Sequence, residues 1–218
     1  MEEVVGEKRL GRRSADATER TRRGIVGAAV RLFAERGYEG VSVRDIAREA
    51  GTTHGLIRHH FGSKEGIWRA VVEAADAEYV GALRPVLTAG VALDEDARAA
   101  LAAIVRGVVV VSATHPEIVR LLVHEGVGGG ERLRYILEHI TPLRRAVAPL
   151  FARLRGQGLL RHFDEDTFFL FLVLAGATPF ALSALTEDIL GREILTEEYA
   201  ERYADRIVQT LFSEPGAC

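Results

Sequence analysis

The sequence predicts an all-α fold of about nine helices. Three observations support this. Apolar residues recur with helical spacing through nearly all of the 218 residues, and no segment alternates apolar and polar residues as a strand does. Candidate N-terminal caps precede the periodic segments, and glycines follow them. The helices divide into a small three-helix domain near the N-terminus and a larger helical domain after it.

The first predicted helix runs from about Ala17 to Arg36 and ends at Gly37, where a left-handed C-terminal cap belongs. Its buried face has the i, i+4, i+7, i+8 spacing. That face comprises Ile25, Ala29, Leu32 and Phe33. The segment before it, residues 1–17, is polar and rich in arginine, and we expect a flexible basic arm there.

Short helices with recognisable caps follow. Ser42 begins the second helix with Asp45 three residues later, an acidic version of the capping box. Gly51 supplies the turn after it. Caps at Ser42, Thr53 and Ser63 predict helices over about 43–50, 54–61 and 64–87. These elements place a first domain at residues 18–75.

The remaining residues, 76–218, are expected to form the larger helical domain. Helices are predicted at about 94–113, 115–124, 131–155, 164–190 and 196–212. Three prolines lie inside these segments, at Pro142, Pro149 and Pro179. Interior prolines bend helices, and bends between packed helices can open a cavity.

Charge is distributed unevenly along a chain whose formal net charge is −3. Residues 1–64 hold 13 basic and 9 acidic residues, a balance of +4, whereas residues 65–218 hold 15 and 22, a balance of −7. The N-terminal part therefore suits a polyanionic partner, and the rest of the chain would repel one.

Composition also argues against several classes of protein. Apolar runs are interrupted well before the roughly 20 residues that a membrane span needs, so no membrane partner is expected. The N-terminus is charged and lacks the apolar middle of a signal peptide. The single cysteine, Cys218, excludes an intrachain disulfide and fits a reducing compartment. We expect a cytoplasmic protein.

Residues 41–68 carry the main functional pattern. A short helix, a glycine-containing turn and a second short helix follow one another, which is the helix-turn-helix arrangement that seats its second helix in a DNA major groove. The residues expected to fix the angle between the helices are Val43, Ile46, Ala47, Ile57 and Phe61. Exposed side chains near the second helix have types that bind phosphates and base edges. They are Thr52, Thr53, His54, Arg58 and His59.

The same region resembles the TetR family of bacterial transcriptional regulators. The resemblance rests on TRRGIVGAAVRLFAERGYEGVSVRDIAREAG and on the pattern of Gly55, His60, Phe61, Ser63, Lys64 and Glu65 after it, and it covers about residues 18–75. It implies a DNA-binding domain there, a helical ligand-binding domain after it, and a homodimer formed by the last two long helices. Most members of the family are repressors released from DNA by a small molecule.

Residue chemistry and the resemblance together define the candidate DNA-binding set. It comprises Arg22, Ser42, Arg44, Thr52, Thr53, His54, Gly55, Arg58, His59, His60 and Lys64. Arg58 departs from the family, which usually has a Tyr that touches the phosphate backbone. Arginine can make that contact, but the preferred operator is left open. Thr53 replaces the more usual Ser cap.

Two further sets of residues concern the predicted dimer interface and a predicted effector pocket lined by helices four to eight. Small and aromatic residues at helical spacing are candidates for the dimer interface, or for the intrachain core. They are Ala177, Ala181, Ala184, Tyr203 and Ile207. Bulky residues are candidates for the wall of an effector pocket, or again for core. They are Trp68, Tyr79, Phe168, Phe171, Leu172 and Phe180.

The expected partners are therefore a double-stranded DNA operator, a second copy of the chain and a small organic effector. No metal or other cofactor is expected, because no histidine pair has the H-x-x-x-H spacing of a helical zinc site. No catalytic constellation stands out, so an enzyme is not expected. A helical enzyme or carrier, and a DNA-binding protein without a ligand, remain alternatives, and repression or activation stays open.

Overall fold

The computed structural model describes the backbone of residues 3–92 and 96–213. It confirms the all-α prediction, because this part of the chain holds helices, turns and bends and no strand. The chain divides into two compact units, residues 1–74 and residues 75–218. The fourth helix runs through the boundary, and each unit has its own apolar core.

The first unit contains three helices and the beginning of a fourth. They are α1 (Glu3–Arg36), α2 (Val43–Glu49), α3 (His54–Phe61) and α4 (Lys64–Ala92). Its core includes the fully buried side chains Ile25, Phe33, Ile46, Ile57, Ile67 and Trp68. Gly37 has φ +68° and ends α1 as expected. The core is built mainly from β-branched and aromatic residues that keep one rotamer, which suits a small rigid domain.

The N-terminal segment differs from the expectation. A flexible arm was expected over residues 1–17, but the described backbone is helical from Glu3 onward. No proline interrupts the segment, and its glutamates, arginines, alanines and lysine have good helix propensity. The helix therefore continues toward the N-terminus instead of starting near Ala17. Residues 1 and 2 lie outside the described part.

The second unit is an all-helical assembly around α5. Its helices are α5 (Ala97–Thr114), α6 (Pro116–Gly128), α7 (Glu131–Gly156), α8 (Glu165–Phe171), α9 (Thr178–Ala181), α10 (Ser183–Leu190) and α11 (Glu197–Phe212), with a π-helical segment, Leu172–Ala177, between α8 and α9. Helices α6, α7, α9 and α11 and the π-helical segment all pack against α5. α5 is long and apolar enough to cross a membrane, but 56% of it is buried here. It is the central core helix of this unit.

A single helix over 164–190 was expected, and the structure corrects this. The segment is broken into α8, the π-helical segment, α9 and α10, and its two halves are bent by 86°. Pro179 cannot donate a backbone hydrogen bond to the Ala175 carbonyl, and the Tyr203 hydroxyl donates to that oxygen at 2.8 Å. The carbonyl that Pro179 leaves without a helical hydrogen bond is therefore satisfied by Tyr203 of α11.

Candidate nucleic-acid interface

α2 is held at its start by a complete capping box. The Ser42 hydroxyl accepts a hydrogen bond from the Asp45 backbone N–H at 3.2 Å, and the Ser42 N–H donates to the Asp45 carboxylate at 3.0 Å. Hydrogen bonds from the Ser42 side chain and backbone lower the pKa of the Asp45 carboxyl. The boundary of α2 is thus determined by residues only three positions apart.

The turn between α2 and α3 depends on one glycine and one cap. Gly51 has φ +60°, a left-handed conformation that glycine adopts without strain. The Thr52 N–H then donates to the Ala47 carbonyl at 2.9 Å. The Thr53 hydroxyl accepts from the Leu56 N–H at 3.3 Å and begins α3. Helix, turn and helix follow as the sequence predicted.

Opposite faces of α3 have opposite character. Ile57 is 1% exposed and lies in the core with Ile46 of α2, whereas Val43 and Phe61 are only partly buried. The outward positions, including Gly55 and the polar side chains, are exposed. These exposed residues are His54, Gly55, Leu56, Arg58 and His59. α3 is therefore anchored along one side and open to a partner along the other.

Gly55 lies on the open side. A Cβ built at this residue would come no closer than 3.9 Å to its nearest neighbour, the Thr53 hydroxyl. Packing within the protein thus leaves room for a side chain at this position and does not itself require glycine. A backbone without a Cβ lets a ligand approach α3 closely.

Cations lie beside aromatic rings around α3. The Lys64 ammonium is 4.0 Å from the centre of the Tyr38 ring, and the Arg22 guanidinium is 5.5 Å from the centre of the Phe61 ring. Tyr38 is in turn stacked on Phe33, with ring centres 5.6 Å apart. These contacts restrict where the two cations can lie without neutralising their charge.

Two arginines of the candidate set are exposed and carry no ion pair within the described residues: Arg44 on α2 and Arg58 on α3. Nearby Arg48 differs, because it pairs with Asp45 at 2.6 Å. His59 and His60 contact each other edge to face, with ring centres 5.4 Å apart. Uncompensated positive charge is therefore available on both short helices.

The start of α4 explains why Lys64 is placed where it is. Gly62 has φ +71° and ends α3, and the Ser63 hydroxyl accepts from the Gly66 N–H at 3.1 Å. A Cβ at Gly66 would lie 2.0 Å from the Phe61 carbonyl oxygen, so this close approach requires glycine. This requirement could not be predicted from the sequence, because helical periodicity alone contains no sign of it.

One candidate ligand residue lies in the first unit. The Trp68 side chain is 1% exposed and packs edge-on against Phe33 and Tyr38, with ring centres 5.4 and 5.7 Å away. Trp68 therefore belongs to the core of the first unit, which is one of the two alternatives that the sequence left open for it. It supports the α1–α4 packing that holds Tyr38 under Lys64.

The other candidate wall residues belong to the core of the second unit. Phe168 stacks on Phe151 with ring centres 5.0 Å apart. Phe171 and Leu172 belong to the same cluster, and Phe180 is fully buried. The Tyr79 hydroxyl lies 2.9 Å from the Ser112 hydroxyl, and burial raises the pKa of Tyr79 to about 12.

A cavity of about 620 Å³ that is widely open to solvent lies on the second unit, and none of the six predicted wall residues lines it. It lies between α4, α5 and α11. Its apolar lining includes Ala82, Val110 and Ala204, and its polar lining includes Arg106 and Asp205, which form a 2.8 Å ion pair. Residues from three helices meet here, and no sequence motif connects them.

The candidate dimer residues divide into buried and exposed groups. Ala177 and Ala181 are buried against Val119, as the alternative of an intrachain core predicts for them. Ile207 is buried in the intrachain core and Tyr203 is half-buried, whereas Ala184 is exposed. The exposed apolar side chains of α8, the π-helical segment and α10 are different residues. They include Leu170, Leu174, Leu185 and Ile189.

The capped helices, the glycine turn and the open face of α3 define a helix-turn-helix protein of the DNA-binding regulator class. Residues 25–71 match the family model described as bacterial regulatory proteins of the tetR family. Residues 98–211 match the model of the tetracyclin repressor-like C-terminal domain, which spans just over half of the chain. The chain belongs to the TetR family.

Curated relatives are similar over the N-terminal region. The transcriptional repressor AcnR of Corynebacterium glutamicum is 41% identical over 58 residues, which cover 27% of this chain and 31% of AcnR. The transcriptional repressor KstR2 of Rhodococcus jostii is 37% identical over 81 residues, which cover 37% of this chain and 38% of KstR2. The chain thus spans about a third of the length of the curated relatives it matches.

Solved structures are similar over most of the chain. AibR, in complex with isovaleryl coenzyme A and operator DNA, superposes with a TM-score of 0.69 at 21% identity, covering 88% of this chain and 98% of AibR. The ketosteroid transcriptional regulator KstR2 of Mycobacterium tuberculosis gives 0.68 at 20% identity, covering 88% and 95%. At about 20% sequence identity, these superpositions show that the chain shares its fold with AibR and KstR2.

Proposed function

We propose that the protein is a cytoplasmic, homodimeric transcriptional repressor that binds a palindromic operator and is released by a small organic effector. One observation carries the proposal. α3 is anchored by Ile57 and two caps, while its opposite face presents exposed polar and cationic side chains. A short rigid helix of this kind fits the major groove. The curated relatives named as repressors support the choice of regulation over catalysis.

The proposed DNA contacts have two roles. Cations on α3 and around it bind phosphates: Arg22, Arg44, Arg58 and Lys64. Phosphate contacts supply affinity and fix register without reading sequence. Thr52 and His54, at the groove-entering end of α3, read base edges, and Gly55 lets the backbone approach. Ser42, Thr53, His59 and His60 lie beside them and add hydrogen bonds to the backbone of the duplex.

A second copy of the chain supplies the second recognition helix. One eight-residue helix contacts too few base pairs to select an operator, whereas two helices about one turn of DNA apart read a palindrome. The exposed leucines and isoleucine of α8 to α10 support this partner, because a self-complementary apolar surface is buried in a symmetric dimer. Leu170, Leu174, Leu185 and Ile189 are the proposed interface residues.

The effector is proposed to occupy the cavity between α4, α5 and α11. Its apolar lining and the Arg106–Asp205 pair suit an organic molecule with both apolar and polar parts. α4 carries Ala82 of the cavity lining and Lys64 of the DNA contacts. The bound effector favours a state of the protein that no longer fits the operator.

The test is selection of bound sequences from a pool of random duplexes by the full-length protein. We expect enrichment of an inverted repeat whose half-sites are about 10 base pairs apart. Arg58→Ala should weaken binding to all sequences, and His54→Ala should change the enriched bases. Arg192→Ala is the matched control, since Arg192 is an exposed arginine of the second unit. A pool without enrichment would contradict the proposal.

Oligomeric state tests the dimer separately. Leu185→Arg together with Ile189→Arg should convert the dimer to a monomer in light scattering and reduce operator affinity. Leu137→Arg serves as the control, because Leu137 is an exposed leucine on α7, outside the proposed interface. A variant that stays dimeric would refute this choice of interface.

A further inference from the structure

The outward face of α3 contains one side chain that polar DNA contacts do not explain. Leu56 is 44% exposed, and among residues 17–74, the part of the first unit whose side-chain burial is described, it is the only large apolar side chain with such exposure. Leu56 is the third residue of α3, and it lies between Gly55, which has no side chain, and the exposed cation Arg58. The other large apolar side chains of residues 17–74 are buried or partly buried.

The position of Leu56 restricts what can cover it. The N-terminal residues of a recognition helix are those that reach base edges, and Leu56 is in this first turn. His59 is three residues later, so the two side chains are neighbours on the surface of the helix. A partner that covers His59 and Gly55 in the groove also removes Leu56 from water.

Among the groups displayed in the major groove, the C5-methyl of thymine is the apolar one, and apolar side chains contact it. We propose that Leu56 is a specificity-determining residue that reads thymine through this methyl group. The inference rests on the proposed DNA-binding function, and it adds that the apolar side chain of Leu56 selects thymine at one position of the operator. Cytosine carries only a hydrogen at C5, and the purines present no methyl group in the major groove, so a leucine finds no equivalent apolar group on them.

The backbone at Leu56 is supported independently of its side chain. Its N–H donates to the Thr53 hydroxyl at 3.3 Å, and that bond is unaffected by a substitution at the side chain. Alanine is a good helix former, so Leu56→Ala should leave α3 intact. The variant therefore removes an apolar contact surface from the open face and little else.

The experiment uses the full-length protein and the operator enriched from a random duplex pool. Each thymine is replaced in turn by uracil, in both half-sites, which removes only the methyl group. At one such position, the substitution should weaken binding of the unsubstituted protein about fifteenfold. This is the effect expected when two methyl groups, one in each half-site, are lost at about 0.8 kcal/mol each. Leu56→Ala should bind the thymine and uracil duplexes with equal affinity, whereas Leu56→Met should keep most of the difference.

Leu137→Ala is the matched control, because Leu137 has the same 44% exposure on α7, and it should show the full uracil effect. A uracil effect that persists unchanged in Leu56→Ala overturns the inference, and so does an operator in which no thymine matters. In both cases sequence-specific binding itself would stand. A pool without any enriched sequence would overturn the proposed function and the inference together.

Discussion

Lys64 permits a test that separates DNA binding from folding. Its ammonium lies 4.0 Å from the Tyr38 ring, a contact that contributes about 0.5–1 kcal/mol at a partly exposed site. Lys64 also lies in the first turn of α4, where a cation costs about 0.3–1 kcal/mol because it opposes the helix dipole. The two effects nearly offset each other. Lys64→Gln should therefore change the free energy of unfolding by less than about 1 kcal/mol.

The effect on DNA should be larger. Each lost phosphate contact reduces the slope of log affinity against log salt by about 0.9, and a dimer loses two contacts, a change of about 1.8. Between about 50 and about 200 mM salt, the affinity of the unsubstituted protein should thus fall about twelvefold more than that of Lys64→Gln. Fluorescence anisotropy with a labelled operator measures both slopes, and urea unfolding measures stability.

Arg98→Gln is the matched control for this experiment. The Arg98 guanidinium lies 4.8 Å from the centre of the Phe212 ring, so the substitution removes a similar cation from an aromatic ring in the second unit. Its salt slope should equal that of the unsubstituted protein. If Lys64→Gln and Arg98→Gln gave the same slope, Lys64 would not contact a phosphate.

Three further predictions concern stability. Ile57→Ala, which removes a side chain 1% exposed, should lower the free energy of unfolding by about 2–5 kcal/mol in urea titrations, and a loss under about 1 kcal/mol would mean that Ile57 is not core. Ser42→Ala should cost about 1 kcal/mol through the lost cap. Hydrogen bonds from Ser42 lower the pKa of Asp45, so they stabilise the fold above the ordinary carboxyl pKa and cease to do so as the pH falls through the lowered pKa. Ser42→Ala should therefore cost less stability in acid than at neutral pH. Burial raises the pKa of Tyr79 from its ordinary 10.0 to about 12, so stability should decline between these values, and Tyr79→Phe should reduce that decline in alkaline melts.

The helix-turn-helix segment could be predicted from sequence because its determinants are local. Ser42 and Thr53 each cap a helix by accepting from an N–H three residues later, and Gly51 supplies the left-handed turn between them. Such short-range rules depend little on the rest of the fold. The exposed side of α3 followed from the burial of Ile57.

Features that depend on distant residues could not be predicted in the same way. Pro179 is visible in the sequence. The sequence does not show that the Tyr203 hydroxyl donates a hydrogen bond to the Ala175 carbonyl, or that the segment bends by 86°. Small residues at helical spacing predicted a close helix contact, yet periodicity does not say which helix approaches. Ala177 and Ala181 meet Val119 of the same chain.

The cavity shows the same limit. Its lining combines α4, α5 and α11, which are far apart in the sequence, and the aromatic residues expected around a pocket fill the core instead. Bulky apolar side chains are usually recruited to close packing, since each buried one contributes about 1.5–3 kcal/mol. A cavity remains where the side chains are small, as at Ala82, Gly107 and Ala204.

Site-specific cross-linking tests the central claim most directly. In a Cys218→Ser background, which removes the single native cysteine, His54→Cys places a thiol at the first residue of α3. A duplex that carries the enriched operator, with a thiol tethered to one major-groove base in each half-site, should form one disulfide per half-site with this variant. Leu137→Cys in the same background should not react above the level of a scrambled duplex. Equal reaction of both variants, or none with His54→Cys, would contradict the placement of α3 in the groove.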